Sequence, residues 1–199
     1  MNVASYKDAK NLFLSGDYSV EDYFEKNNLL LEYAYCKLLS GDLDSAEEEL
    51  KKIQDKDFRA DWGVKLIQFI RGHIITAPSY FQIRNFLEID LNLLLKAGQA
   101  EFVENIINGA DVFYSINPES YKFISRVMMN NDFYDVAMYY LLRAKEKFYQ
   151  DPEMHFMLAN CYLKSGEKKL AIDSLNNCLN ILPEYYPARK ILETITGNN

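Results

Sequence analysis

Residues 151–185 read DPEMHFMLANCYLKSGEKKLAIDSLNNCLNILPEY, and the spacing of their small and apolar side chains decides the fold. Leu158, Ala159 and Tyr162 fall on one helical face; Gly166 interrupts it, Ala171 and Leu175 begin a second face, and Pro183 closes the stretch. Apolar residues recurring three and four apart put a stripe on one side of a helix. The stretch therefore predicts two helices joined near Gly166. Ala159 and Ala171 are small enough to let them approach closely, while Tyr162 and Leu175 fill the space beside that contact.

A single helical hairpin buries only one side, so similar units must stack against it. Counting 34 residues at a time places consecutive starts at Arg84, Pro118 and Pro152. In 118–151, Ile124, Ser125 and Met128 lie on the first face and Ala137, Leu141 and Ala144 on the second. In 84–117, Leu91 and Leu94 precede Gly98, and Val103 and Ile107 follow it, with Leu91 and Val103 replacing small residues. Asn117-Pro118-Glu119 and Asp151-Pro152-Glu153 are parallel starts, each with a capping side chain, a proline and an acid. Further back, 27–60 carries LLSGDLDSAEEEL, where Gly41 and Asp42 suit a turn and Ala46 and Leu50 open a second helix.

These units resemble tetratricopeptide (TPR) repeats, whose signature spaces a Trp-x-x-Leu-Gly-x-x-Tyr run, an Ala, an aromatic and a Pro over 34 residues. The match is carried best by 152–185, then by 27–60 and 118–151. It implies an all-α fold, an α-α superhelix built as a TPR-type solenoid of antiparallel helix pairs, with ten to twelve helices in one continuous domain over 1–199. The expected layout is a degenerate repeat at about 2–26, a repeat at 27–60 and an irregular insert at 61–83. Repeats at 84–117, 118–151 and 152–185 follow, then a C-terminal capping helix at 186–196. The insert is expected to supply one helix, and Ser79 to Lys96 a long one. Phe113, Tyr114 and Ile116 are expected in a loop, either exposed beside Tyr80 and Phe81 or sealing the break in the solenoid.

Composition bounds the function. Apolar residues make up 49% of the 199, too many for a disordered chain. Net charge is −7, and residues 1–60 alone hold 8 basic and 13 acidic side chains, which disfavours nucleic acid as a partner. Cys36, Cys161 and Cys178 form no CxxC pair and read as packing thiols in a reducing compartment. No basic-then-apolar leader and no bilayer-length apolar run stand in the sequence, so a soluble, cytoplasmic protein without membrane insertion is expected. His73 and His155 are far apart in the repeat phasing, and no HExxH, P-loop or GxGxxG is present. Neither a metal, a cofactor nor catalysis is expected.

In TPR proteins the first helix of each unit lines the concave face, where a peptide or partner helix binds. Carried onto this chain, the resemblance implies a groove containing Asn92 and Lys96; Lys122, Phe123, Arg126, Met129 and Asn130; and Phe156, Met157, Asn160 and Lys164. Asn92, Arg126 and Asn160 recur at one height, and Lys96, Asn130 and Lys164 one turn on. Amides can pair with a peptide backbone and cations with a carboxylate. In the alternative reading the polar groups are merely solvated and the aromatics pack between helices. The carboxylate clamp found in some TPR proteins is not expected, because Glu88, Phe123, Glu153 and Met157 take most of its places and only Asn92 matches. The expected function is a non-catalytic scaffold or adaptor for a protein or peptide. A self-assembling module forming homo-oligomers and a regulatory subunit of a separate enzyme are the alternatives. If Ala171 faces the first helix of its hairpin, Ala171→Leu overpacks that contact and costs roughly 1–3 kcal/mol; an unchanged melting temperature would refute the register.

Overall fold

At four of the reversals where a helix of this chain turns back on its neighbour, one residue takes the left-handed backbone conformation. The next amide then hydrogen-bonds to a carbonyl five residues earlier. The computed structural model describes residues 5–197 and shows this device at Gly41, Gly98, Asp132 and Gly166 (φ 94°, 77°, 64° and 80°). The matching bonds are Asp42 N to Lys37 O, Gln99 N to Leu94 O, Phe133 N to Met128 O and Glu167 N to Tyr162 O, at 2.8–2.9 Å. This is the Schellman helix ending. The last three turns are 34 residues apart, matching the period read from the sequence. Asp132 stands where the other three turns have glycine, and aspartate is one of the few side chains that tolerates this conformation.

Among the described residues the fold is all-α, with thirteen helices and a short 3-10 turn at Tyr18–Val20. Up to Asn117 the helices are α1 (Tyr6–Ser15), α2 (Glu21–Lys26), α3 (Leu30–Ser40), α4 (Leu43–Lys51), α5 (Phe58–Ile70), α6 (Tyr80–Lys96), α7 (Ala100–Asn108) and α8 (Ala110–Ile116). From Pro118 they are α9 (Ser120–Asn130), α10 (Tyr134–Lys145), α11 (Pro152–Lys164), α12 (Lys168–Ile181) and α13 (Tyr186–Thr196). The helices form two compact units that divide between Asn117 and Pro118. The count exceeds the expected ten to twelve because α2 is a separate short helix and α8 occupies a stretch expected to be a loop.

In the first unit, Ala9, Val20, Phe24 and Cys36 form a small core under α1, α2 and α3. The expected insert is more regular than its sequence. Asp57 caps α5 by accepting from the amides of Arg59 (2.8 Å) and Ala60 (3.0 Å), so the helix begins at Phe58, before the expected repeat boundary. Ser79 and Gln82 form a capping box that starts the long α6. At Gly109 any larger residue would put its Cβ 2.7 Å from the Phe69 ring. The chain turns there into α8, and Phe113 stacks on Phe69 with ring centres 4.2 Å apart. Phe113 is thus fully buried core rather than an exposed aromatic, whereas Tyr80 and Phe81 are exposed.

A buried carboxylate ties α3, α5 and α6 together. Asp90 is 1% exposed. Arg59 Nη2 pairs with its Oδ1, while Trp62 Nε1 (2.5 Å) and the Tyr35 hydroxyl (3.3 Å) donate to its Oδ2. The Arg59 guanidinium also lies against the rings of Phe86 and Tyr35, 4.4 and 4.7 Å from their centres. Burial pushes the Asp90 carboxyl above its ordinary range, and these donors hold it back only in part.

The second unit is two hairpins and a final helix. Ala137, Ala144, Ala159 and Ala171 are all fully buried. The parallel starts expected at 118 and 152 diverge. Asp151 caps α11 by accepting from the Met154 amide at 3.2 Å, whereas Pro118 and Glu119 lie in a turn and α9 begins at Ser120 without a side-chain cap. Ala188 of α13 joins the buried cluster of Ala159, Leu175 and Cys178, and Ile191, Leu192 and Ile195 pack against it. This covers the apolar side of the last hairpin.

Removing one partner of a buried charge pair strands the other, at a cost of about 3–5 kcal/mol. Asp90→Ala is expected to lose that much, and Asp90→Asn less, because the amide oxygen still accepts from Trp62. Denaturant unfolding followed by fluorescence of Trp62, the chain's single tryptophan, reads both variants.

Candidate functional site

The first helices of the two hairpins in the second unit, α9 and α11, bring several of the expected groove residues together. At their C-terminal ends Met129, Asn130, Asn160, Leu163 and Lys164 line a cleft of about 320 Å³, completed by Tyr134 at the start of α10. Asn130 and Lys164 are exposed, and Asn160 is half-buried. The Asn160 amide nitrogen donates to the Phe156 carbonyl within its own helix (3.2 Å). The Lys164 ammonium lies 5.0 Å from the centre of the Tyr134 ring. The cleft thus pairs two amides and a cation with the apolar side chains of Met129 and Leu163.

Nearer the N-terminal ends of α9 and α11, the expected cations are already engaged by this chain's own acids. Lys122 is buried, 2.5 Å from Asp151 and 3.5 Å from Glu153, with Glu119 at 3.8 Å. Burial pulls its ammonium down, but the three carboxylates more than offset this, so it stays charged above its ordinary range. Arg126 pairs with Glu153 at 2.7 Å. Of the expected apolar floor, Met157 is only 5% exposed, and Phe156 packs against Tyr185 with ring centres 5.2 Å apart. Phe123 is half-buried. In the first unit, Asn92 donates to the Glu88 carbonyl of its own helix (2.9 Å), and Lys96 is exposed in the last turn of α6.

Two buried groups could be read as catalytic. Asp90 presents no free oxygen edge: Arg59 occupies Oδ1, and Trp62 and Tyr35 share Oδ2. It acts as a structural tie. His155 is fully buried, its Nε2 is 2.7 Å from the Tyr149 carbonyl, and its ring meets Tyr149 edge-on. Nε2 therefore carries the proton and donates it, leaving Nδ1 buried without a hydrogen-bond partner among the described residues. Neither group lines the α9–α11 cleft. Among the described residues no group of His, Cys, Asp and Glu could hold a metal ion, and no helix is long and apolar enough to cross a membrane.

Sequence reasoning missed Tyr134, because it belongs to the second helix of its hairpin and not to the helix face followed for the groove. It also missed the internal pairing of Lys122 and Arg126. Asp151 and Glu153 were read as cap and first-turn acids, and their distance from α9 is a tertiary fact.

The chain is thus an all-α protein of antiparallel helix hairpins. It is similar in structure to a thermophilic TPR protein of Thermus thermophilus, with 16% identity and a TM-score of 0.43, over 85% of this chain and 98% of that one. No protein-family model and no curated protein matches the sequence.

The His155 ring gives the second unit a pH dependence. Burial chiefly pushes its pKa below the ordinary value, and Lys145 adds to this; the Tyr149 carbonyl and Asp151 act in the opposite sense. On lowering the pH through about 6.5, the unfolded chain takes up a proton that the folded ring refuses. The stabilisation is thus complete above that pH and declines below it, by up to about 1 kcal/mol per pH unit. Urea unfolding followed by far-UV circular dichroism between pH 7.5 and 5.5 is expected to show a shallower decline in His155→Phe than in the parent.

Proposed function

We propose that the protein is a non-catalytic interaction scaffold that binds an extended peptide segment of a partner on the α9–α11 face. The observation that supports this reading is the cleft in which Asn130, Asn160 and Lys164 meet beside Met129 and Leu163. An amide side chain offers both a donor and an acceptor, the pair of groups that an extended backbone presents at each residue. Lys164 meets an acidic side chain of the peptide, and the two apolar side chains accept an aliphatic one. Asn92 and Lys96 of α6 offer the same chemistry in the first unit. The sites at Lys122 and Arg126 contribute as ion pairs with Asp151 and Glu153, fixing α9 against α11 so that the cleft keeps its shape.

The protein works where thiols stay reduced. Cys36, Cys161 and Cys178 are buried, and burial pushes their thiols up to about 12, 11 and 11, so they are poor nucleophiles.

Partner capture by the parent chain and by the Asn160→Ala, Lys164→Ala double variant tests the reading. Lys164 is exposed, and half-buried Asn160 hydrogen-bonds within its own helix, so the helix content is expected to be unchanged. Recovery of the specific partner is expected to fall at least tenfold, which corresponds to about 1.4 kcal/mol of binding. Retention of every partner by the double variant would sink the proposal.

A further inference from the structure

A second recess lies in the first unit and has different chemistry. Phe13 and Leu14 of α1, Leu31 of α3 and Leu93 of α6 form the apolar part of a cleft of about 170 Å³. An apolar cavity of roughly 150 Å³ accepts a benzene-sized molecule, so the space suits one aromatic ring or one branched aliphatic group. Leu14 is half exposed, which leaves a way in from solvent.

The same cleft is lined by Arg59 and Lys10. Arg59 is held in place before any ligand arrives: Asp90 takes its Nη2, and the rings of Phe86 and Tyr35 lie against the guanidinium. Its Nη1 is buried and has no hydrogen-bond partner among the described residues. A buried guanidinium nitrogen carries donors that gain from an oxygen acceptor. Lys10 brings a second cation to the cleft, its ammonium 5.9 Å from the Tyr6 ring centre. Glu32, the acid of the cleft, accepts a hydrogen bond from the Tyr6 hydroxyl at 2.8 Å.

We infer that this cleft binds a small apolar monocarboxylate, its ring or branched chain among Phe13, Leu14, Leu31 and Leu93 and its carboxylate on Arg59 and Lys10. The cleft lies apart from α9 and α11 in the chain and shares no residue with the proposed peptide site. The guanidinium gives direction, because a fixed planar donor set favours a carboxylate oxygen over a neutral acceptor. The cleft has room for a single such group and no extended chain.

The test uses the full chain with phenylacetate as the probe and phenylacetamide as its uncharged counterpart, followed by methyl resonances of the leucines. Phenylacetate is expected to shift Leu14, Leu31 and Leu93 saturably, and the amide to bind at least tenfold more weakly. Leu31→Trp, which fills the cleft, and Lys10→Gln, at its exposed edge, are each expected to weaken phenylacetate binding, the first by more than tenfold. Equal affinity for acid and amide, or no saturable shift up to about 10 mM, overturns the inference. The acid–amide comparison on the parent chain decides the matter even if Leu31→Trp does not fold.

Discussion

An amphipathic helix hides one stripe of apolar surface and must be turned back against a neighbour to do so. The turn is the constraint on which this protein depends. Two or three residues reverse the chain, a left-handed residue makes the reversal tight, and one amide reaching back five residues satisfies a helix-end carbonyl. Once the turn is fixed, the helices must lie side by side, and the positions that face one another must be small. Ala46, Ala137, Ala159 and Ala171 are buried for that reason.

The first unit adds a second kind of constraint. Its helices are less regularly spaced, and besides small residues such as Ala46 it uses a buried carboxylate. Asp90 fixes the relative placement of α3, α5 and α6 because its donors come from all three regions: Tyr35 from α3, Arg59 and Trp62 from α5, and the acid itself from α6. An apolar contact tolerates sliding by a fraction of an ångström, whereas a carboxylate with fixed donors does not. The cost is desolvation of a charge, which burial of this depth makes large. The first unit thus adds a deeply buried polar tie to the small-residue contacts that both units use.

Much of the fold was legible because it rests on local chemistry. The glycines at 41, 98 and 166, and Ala46 and Ala171 after the first and last of them, report helix ends and close contacts without any tertiary information. The 34-residue spacing then exposes Asp132 as the place where a turn must form without glycine. Three features were not legible. Helix α8 follows a glycine and carries Phe113, and only the position of Phe69 shows that this stretch packs inward as a helix. Asp90 interrupts an apolar run, FLEIDLNLLL, and lies on the same helical face as Leu87, Leu91 and Leu94. An acid on a core face is the signal that could have revealed the tie, although not its partners. The candidate groove was traced along one helix face, and that tracing could locate Asn130, Asn160 and Lys164 but not what their neighbours do. Which cations are already paired depends on the approach of α11 to α9, and no sequence spacing states it.

Under the proposed peptide-binding reading, the pairing of Lys122 and Arg126 with Asp151 and Glu153 sets what the α9–α11 face can select. To an incoming acidic segment these two carboxylates are competitors already in place, held by the fold at a high effective concentration. Such a segment must exchange one ion pair for another, an exchange with little net driving force. A segment that leaves the pairs intact has no such exchange to make. On the peptide-binding reading proposed above, the face is therefore biased by its own acids toward partners recognised through backbone and apolar groups, with charge read at Lys164, at one end of the cleft.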